Sequence, residues 1–240
     1  MSMKKSFAKI KEFLIDMFFP RFCLGCSKEG SWLCEDCQAI LDIRNVAVCP
    51  ICLLRTPDFK TCNRCKNKTN LSGLLWPLPY QNLLVKKLIH QFKYDPFIKE
   101  LSFPLANCII NHLLLIEFSR EQLKDFILIP IPLHNKRKKW RGFNQAEEIA
   151  KEIGNYFDIP VLNNVLTRQK ETLPQIDLEE KQRKENIKGV FVCQKPELIK
   201  NRKIFLVDDV YTTGSTMEEA TKILKSAGAK EVWGLVIARG

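Results

Sequence analysis

The stretch of sequence that decides the fold is Ile204-Phe-Leu-Val-Asp-Asp-Val-Tyr-Thr-Thr-Gly-Ser-Thr216. Its first four residues are apolar, which predicts a short buried strand. Two adjacent carboxylates, Asp208 and Asp209, follow at the carboxyl end of that strand, and a helix is predicted from Ser215 to Ala227. A strand, a short loop and a helix in this order are typical of α/β folds, in which ligands bind at the carboxyl ends of the strands.

The loop between the two acids and the predicted helix is suited to a phosphate. Backbone N–H groups at a helix start and the helix dipole attract an anion, and Gly214 lets the backbone turn tightly and approach it. The hydroxyls of Thr212, Thr213, Ser215 and Thr216 add donors. The carboxylates would repel a phosphate directly, so they are better suited to sugar hydroxyls or to a magnesium shell. The segment therefore predicts a site for a phosphorylated sugar.

A purely structural interpretation of the same loop is a capping box formed by Ser215 and Glu218. It would explain these two residues but not two acids at the end of an apolar strand. The sequence contains neither G-x-x-x-x-G-K-[ST] nor G-x-G-x-x-G, so neither a P-loop ATPase nor a dinucleotide-binding motif is predicted.

Apolar runs alternate with amphipathic stretches along the rest of the chain. The pattern predicts strands over 126–131, 204–207 and 232–237, and helices over 83–92, 144–157 and 215–227. This alternation favours an α/β domain with a mainly parallel sheet flanked by helices. We predict this domain over residues 74–240, connected by a polar stretch to the segment before it.

Eight of the ten cysteines form four C-x-x-C pairs, which predict a zinc-binding module over residues 21–68. Sequential pairing would place four cysteines on each ion, and a cross-braced pairing of first with third and second with fourth pairs is the alternative. Sequential pairing closes shorter loops and is preferred. All ligands would come from the protein, so the one or two zinc ions are expected to be structural. The predicted ligands are Cys23, Cys26, Cys34, Cys37, Cys49, Cys52, Cys62 and Cys65.

The composition is that of a globular protein with a basic surface. In 240 residues, 45% are hydrophobic, 27% are charged and the formal net charge is +11, which excludes a disordered, collagen-like or polytopic membrane protein and favours polyanionic partners. Residues 1–20 predict an amphipathic helix, because Glu12 and Asp16 interrupt the apolar run that a signal peptide needs. The helix would pack on the protein or lie on an anionic membrane. We expect a cytoplasmic protein, with the inner face of the membrane as the alternative location.

A basic run is predicted to form a loop after the strand over 126–131, where a ligand site is expected. It would bind a diphosphate or a nucleic-acid backbone, or form a solvated surface. Trp140 and Phe143 would stack on single-stranded DNA or pack in the core. The polar segment 168–186 predicts a mobile cover over the site. The three histidines show no metal or triad spacing. The candidate phosphate-binding cations are Lys136, Arg137, Arg141, Arg168 and Arg183.

The segment 204–216 resembles the phosphoribosyl-pyrophosphate (PRPP) signature of type I phosphoribosyltransferases. The resemblance implies that Asp208 and Asp209 contact the ribose hydroxyls and are the catalytic acids. It also implies that the Thr212–Thr216 loop, preceded by Val210 and Tyr211, holds the 5′-phosphate of Mg²⁺-bound PRPP. The α/β domain would then have the type I phosphoribosyltransferase-like fold.

Two further segments, 129–145 and 166–186, look like those of the ComF family of competence proteins, as does the cysteine-rich module. This resemblance covers nearly the full chain. It implies a role in the uptake and handling of single-stranded DNA during natural transformation, with non-specific DNA binding and a competence DNA helicase as a partner. The alternative is an active phosphoribosyltransferase that acts on a nucleobase-like or amine acceptor without direct DNA contact.

Overall fold

The computed structural model of the chain describes residues 20–170 and 180–240. Contacts divide the chain into two units, Met1–Asp42 and Ile43–Gly240. The amphipathic helix predicted for residues 1–20 falls, apart from Pro20, outside the described residues. Within the described part of the chain, every helix is too short or too polar to cross a bilayer.

The smaller unit is built around its first two cysteine pairs. An antiparallel bridge joins Phe22 to Glu29 on either side of the turn that carries the first pair. The short helix α1 (Glu35–Ala39) begins at Cys34, whose sulfur accepts a hydrogen bond from the N–H of Cys37 at 3.4 Å. The helix start and the turn therefore bring four thiols together.

The larger unit is organised around a parallel five-stranded sheet, which confirms the predicted α/β class. The strands run in the order β1-β7-β6-β3, and β2 also pairs with β7. Every pairing in this sheet is parallel. The strands are β1 (Gly73–Leu75), β2 (Leu78–Pro79), β3 (Phe126–Pro130), β6 (Lys203–Tyr211) and β7 (Glu231–Arg239).

Helices alternate with the strands and cover the sheet, as the hydrophobic periodicity predicts. Asparagine side chains begin two of them: Asn82 accepts from the N–H of Leu84 at 2.9 Å, and Asn144 accepts from the N–H of Ala146 at 3.2 Å. The helices of this unit are α2 (Leu83–Lys93), α3 (Ser102–Leu115), α4 (Arg120–Lys124), α5 (Asn135–Arg141), α6 (Gln145–Phe157), α7 (Glu180–Ile187) and α8 (Ser215–Ser226).

The core lies on both faces of the sheet. Phe126 stacks on Phe205 with 4.0 Å between ring centroids, and Trp233 meets Phe126 edge-on at 6.4 Å. Leu206 is fully buried in the same cluster as Leu224 of α8. The central strands β6 and β7 are consequently apolar on both faces until the sheet opens toward its carboxyl edge.

Two elements differ from the sequence prediction. The strand predicted over 204–207 continues to Tyr211, because β7 keeps pairing with it up to the Tyr211–Arg239 register. The two acids therefore lie within a paired strand rather than after it. The basic run predicted as a loop is the helix α5, which ends at Gly142 with φ 82°. Lysine and arginine have high helix propensity, and a glycine in the left-handed region is a common helix stop.

The described part of the predicted cover has its own secondary structure. Strand β4 (Leu166–Arg168) pairs antiparallel with β5 (Phe191–Cys193), and α7 lies between them in sequence. Residues 171–179 fall outside the described part of the chain. Ile187 and Phe191 are buried in the main core, so the base of this segment is anchored to the sheet.

The last two cysteine pairs belong to the larger unit. An antiparallel bridge joins Lys60 to Gly73 of β1, and the N–H of Thr61 donates to the carbonyl of Ser72 at 2.9 Å. At the other side of the cluster, Arg239 Nη2 donates to the carbonyl of Pro50 at 2.7 Å. The cysteine spacing predicts one module over residues 21–68, whereas the contacts place the first two pairs in the smaller unit and the last two in the larger unit.

Because the second cluster is bonded to β1 and β7, we expect its loss to destabilise the whole larger unit. Cys49→Ser should lower the melting temperature by at least about 5 °C, since each kcal/mol corresponds to about 2–4 °C in a domain of this size. The measurement is calorimetry with a parallel zinc assay. Chelation of the wild-type protein should reproduce the shift.

The matched control is Cys193→Ser, which alters a half-buried thiol outside both clusters. It should retain zinc and melt close to the wild type. A Cys49→Ser protein that loses one zinc ion but melts at the wild-type temperature would contradict this expectation.

Candidate functional site

A cleft of about 610 Å³ opens at the carboxyl edge of the sheet in the larger unit. The end of α2, the helix α5, the start of α6 and the strand β4 form its walls, and the end of β6 with the loop before α8 forms its floor. The structure brings most of the predicted site residues into this cleft: Asp208, Asp209, Val210, Tyr211, Thr212, Thr213, Gly214, Ser215, Thr216, Arg137, Arg141 and Arg168.

Two predicted residues are not placed in the cleft. Lys136 is exposed on α5 and does not line it. Arg137 and Arg141 do line it, because residues four apart lie on the same face of a helix whereas Lys136 lies on another. The side chain of Arg183 lies outside what the structure describes.

The two acids at the end of β6 have different surroundings. Asp209 is buried and its Oδ1 lies 2.8 Å from Lys93 Nζ. Asp208 is half-buried, and its Oδ1 accepts the N–H of Asp209 at 2.9 Å. Burial, followed by the negative charge of Asp209, raises the pKa of Asp208 to about 7, although Lys93 opposes the shift. The pair can therefore accept hydrogen bonds and also exchange a proton near neutral pH.

The loop after the acids has a conformation that requires glycine. Gly214 has φ 76° and is the N-cap residue of α8, and a Cβ at this position would collide with the hydroxyl of Tyr211. Gly214 has no side chain to cap the helix, and the N–H of Ser215 donates to Thr213 Oγ1 at 3.5 Å. Thr213 Oγ1 and Ser215 Oγ lie 3.0 Å apart. The loop therefore presents hydroxyls and a helix N-terminus in the same cleft as the acids.

The capping box of Ser215 and Glu218 is not formed. Glu218 instead accepts hydrogen bonds from the hydroxyl of Thr69 and from the N–H of Asn70, the latter at 2.9 Å. This carboxylate ties the first turn of α8 to the segment that follows the second cysteine cluster. The prediction of a capping box at these two residues is therefore wrong.

Three arginines surround the acids, and hydrogen bonds and packing hold one of them in position. Arg141 donates to Gln145 Oε1, and Gln145 Nε2 donates to the carbonyl of Phe92 at 2.8 Å. Burial, and then the positive charge of Arg137, lower the pKa of Arg168 to about 10. Cations that repel one another in this way attract an anionic ligand, which would offset the repulsion.

The two aromatic residues near the basic helix have different roles. Phe143 is buried and packs on Phe92 with 5.5 Å between ring centroids. Trp140 is 65% exposed, lines the cleft and meets Phe97 edge-on at 4.8 Å. Phe143 is thus a packing residue, whereas Trp140 retains a surface on which a planar group could stack.

The three histidines form no catalytic arrangement with one another among the described residues. His112 is buried, its Nδ1 lies 2.6 Å from the carbonyl of Arg44, and burial lowers its pKa to about 4. His134 precedes α5 as its N-cap residue. His90 lines the cleft and packs against Tyr94 with 4.8 Å between ring centroids.

The eight paired cysteines form two groups of four in sequential order, as preferred from the sequence. Within each group all sulfur atoms lie within 4.8 Å of one another. Cys26 Sγ is 3.5 Å from Cys34 Sγ, and Cys52 Sγ is 3.7 Å from Cys62 Sγ. These separations fit a tetrahedral zinc ion with Zn–S distances of about 2.3 Å.

Backbone N–H groups support the first thiol of each group. Burial opposes ionisation of Cys23, but hydrogen bonds from backbone N–H groups outweigh it and lower its pKa to about 6. The same balance lowers the pKa of Cys49 to about 6. Thiolates held in this way are the ligand form that zinc requires, so both groups could hold the ion.

Comparisons with known proteins agree with this architecture. A family model described as a phosphoribosyl transferase domain matches residues 139–239. The DNA utilization protein YhgH of Salmonella typhimurium is 30% identical over 232 residues, which are 90% of this chain and 96% of that protein.

The chain belongs to the ComF family. The competence protein ComFC of Streptococcus pneumoniae is 27% identical over 212 residues, 85% of this chain and 86% of that protein. The competence protein F of Haemophilus influenzae is 41% identical over 114 residues, 46% of this chain, and the match spans half the length of that protein. The resemblance stated from the sequence is confirmed, including the phosphoribosyltransferase-like domain of this ComF-family chain.

Sequence reasoning missed the contribution of α2 to the cleft. His90, Lys93 and Tyr94 line it, whereas the sequence pattern predicts only an amphipathic helix for this segment. The one available signal was the position of polar residues at the end of a predicted helix, which is common without any function. The end of α2 is held by the hydrogen bond from Gln145 to the carbonyl of Phe92, which no local pattern reveals.

Because the pKa of Asp208 is raised, its ionised carboxylate should lower the stability of the folded protein, and this effect should depend on pH. A group whose pKa is raised on folding favours the native state at low pH, and this contribution is lost as pH rises from about 4 through about 7. Asp208→Asn should therefore raise the melting temperature by roughly 5 °C at pH 8, by removing a buried charge. The difference should shrink toward pH 5. Calorimetry across this pH range measures it.

Asp125→Asn provides the control, because Asp125 is an exposed acid paired with Lys203 at the opposite end of the strands. Its effect should be small and nearly constant over the same pH range. An Asp208→Asn protein that is less stable than the wild type at pH 8 would be inconsistent with the assigned burial cost.

Proposed function

We propose that this ComF-family protein binds Mg²⁺–PRPP in the cleft and acts in the handling of single-stranded DNA during competence and DNA utilization. The observation that carries the proposal is the convergence of the acid pair, the hydroxyl loop and the arginines in one cleft. PRPP has a matching arrangement of groups: a 5′-phosphate, two ribose hydroxyls and a diphosphate.

The 5′-phosphate is assigned to the loop before α8. The start of the helix presents backbone N–H groups, and Thr213 and Ser215 have hydroxyls beside them. The turn at Gly214 removes the side chain that would otherwise fill the approach to the backbone. A phosphate in this position would accept hydrogen bonds from these N–H and hydroxyl groups.

The ribose hydroxyls are assigned to Asp208 and Asp209. Both carboxylates are held within a paired strand, so their spacing is fixed before a ligand arrives. Carboxylate oxygens also suit Mg²⁺, which would arrive with the diphosphate and offset part of its charge. The acids would thus orient the sugar, and the ion would make the diphosphate a better leaving group.

The diphosphate is assigned to the arginines. Arg137 and Arg141 share one face of α5, and Arg168 lies at the end of β4. Among the described residues, no acceptor pairs with Nε of Arg141. Donors in this position would stabilise charge that develops on a departing diphosphate.

The alternative function is phosphoribosyl transfer to a nucleobase-like or amine acceptor without DNA contact. It is favoured by the aromatic residues that line the same cleft, His90, Tyr94 and Trp140. A planar acceptor would stack on such rings while the diphosphate leaves the sugar carbon. Positioning and charge stabilisation would supply most of the catalysis.

The DNA role is supported by the names of the relatives and by the outer surface of α5. Lys136, Lys139 and Trp140 are exposed on this helix, and the whole chain carries a formal net charge of +11. Basic residues beside an exposed aromatic ring suit a single strand, because the backbone is anionic and every base can stack. A competence DNA helicase, an anionic membrane and a cytoplasmic location remain predictions from the sequence.

Calorimetry with Mg²⁺–PRPP tests the ligand. The wild type and Asp125→Asn should bind, whereas the Asp208→Asn/Asp209→Asn protein should bind at least roughly tenfold more weakly, since hydrogen bonds to charged groups contribute about 1.5–3 kcal/mol each. The cause is the loss of charged acceptors for the ribose hydroxyls. No heat with the folded wild type, or equal binding by the double variant, would refute the PRPP assignment.

A gel-shift titration with a single-stranded oligonucleotide tests DNA contact. Binding should weaken steeply with salt, and Lys136→Gln/Lys139→Gln/Trp140→Ala should bind at least roughly tenfold more weakly at low salt, because two phosphate contacts and one stacked base are lost. Lys195→Gln/Lys222→Gln serves as the charge-matched control, since both lysines are exposed elsewhere. The acid-pair variant should still bind DNA. Absence of binding at low salt would favour the alternative function.

A further inference from the structure

The end of α2 carries a cation into the cleft that neither the sequence motifs nor the comparisons assign. Lys93 is the last residue of this helix. Its Nζ lies 2.8 Å from Asp209 Oδ1, and the side chain is 27% exposed while that of Asp209 is 9% exposed. The contact joins residues that are far apart in sequence, so the ion pair is a product of the fold.

The backbone around Lys93 is fixed on both sides. The carbonyl of Phe92 accepts Gln145 Nε2 at 2.8 Å, and Phe92 itself is fully buried. The N–H of Tyr94 donates to the carbonyl of His90 at 2.8 Å and closes the helix. The ammonium is therefore delivered to the acids by a rigid element, at a helix C-terminus that favours a positive charge.

The negative charge of the acid pair opposes the binding of a sugar phosphate, and the ammonium of Lys93 offsets part of that charge. Two adjacent carboxylates would repel the phosphate groups of a sugar phosphate held nearby, and a divalent ion is the usual remedy. Lys93 supplies a positive charge at the acids before any ion or ligand arrives. Burial opposes this charge, but Asp209 and Asp208 outweigh burial and raise the pKa of Lys93, so the ammonium persists at neutral pH.

We propose that Lys93 is a resident counterion of the acid pair, which allows the cleft to bind metal-free pentose 5-phosphates and metal-free PRPP. The inference rests on the proposed function, because it concerns the same sugar-phosphate site. In this arrangement the ammonium neutralises Asp209 and faces the sugar. Mg²⁺ is then needed only to offset the charge of the diphosphate. The substrate class thus extends to 5-phosphorylated pentoses that carry no metal-binding diphosphate, such as ribose 5-phosphate.

The test compares ligand affinity with and without Mg²⁺ in the full-length protein. Calorimetry would use PRPP and ribose 5-phosphate in buffer freed of divalent ions by a resin, with zinc content checked afterwards. For the wild type, we expect the Kd for PRPP to change less than about fivefold when excess Mg²⁺ is added, because one charge at the acids is already balanced. Ribose 5-phosphate should bind without Mg²⁺.

Lys93→Met should make binding dependent on the metal. Its Kd for PRPP should rise at least about tenfold without Mg²⁺ and return to within about threefold of the wild type when Mg²⁺ is added, since the ion then replaces the lost charge. Lys93→Arg should retain metal-free binding. A purely structural ion pair would weaken binding equally under both conditions, and that result would overturn the inference.

Lys203→Met is the matched control. Lys203 is 28% exposed and lies 3.1 Å from Asp125, so it resembles Lys93 in burial and pairing but lies outside the cleft. It should bind both ligands as the wild type does. If the wild type binds PRPP only with Mg²⁺, the inference fails while the proposed function stands. If it binds neither ligand under any condition, the proposed function itself fails.

Discussion

The parallel pairing of β6 with β7 is the constraint on which the cleft depends. The ladder continues past the apolar core to the register of Tyr211 with Arg239, so Asp208 and Val210 pair with β7 on either side of Asp209. A strand that ended at Val207 would leave the acids on a loop, free to separate. Because the paired strand restrains the backbone around Asp209, the repulsion between the two carboxylates is balanced by neighbouring charges such as that of Lys93.

The same strand end connects the cleft to the second cysteine cluster. Arg239 donates to the carbonyl of Pro50 in the cluster, and its guanidinium lies 4.9 Å from the ring of Trp76 and 5.4 Å from that of Tyr211. Tyr211 in turn fills the space beside Gly214. Glu218 forms a second connection, from α8 to Thr69 and Asn70. The cluster is therefore part of the framework that holds the loop, rather than an appendage to it.

The sequence predicts those parts of the site whose signals are local. The strand, Gly214 and α8 follow one another within a few residues, and a single motif reveals them. The C-x-x-C spacing likewise identifies the cysteines of both clusters, and the shorter loops favour the observed sequential grouping. The contribution of Lys93 depends instead on Gln145, which fixes the end of α2 from another helix. Arg137 lines the cleft and Lys136 does not because the basic run is helical, and the sequence pattern did not predict that helix.

The charges of the cleft also limit what can bind there. The pKa of Asp208 is raised and that of Arg168 is lowered, so the charged form of each is disfavoured in its present surroundings, and such shifts are common at ligand-binding sites. A neutral sugar would donate hydrogen bonds to the acids but would leave the positive charges of the arginines unbalanced. A simple phosphate would do the reverse. Under the proposed function, a ligand with hydroxyls in its centre and negative charge beyond them satisfies both sets at once, so a phosphorylated sugar suits the site better than either fragment.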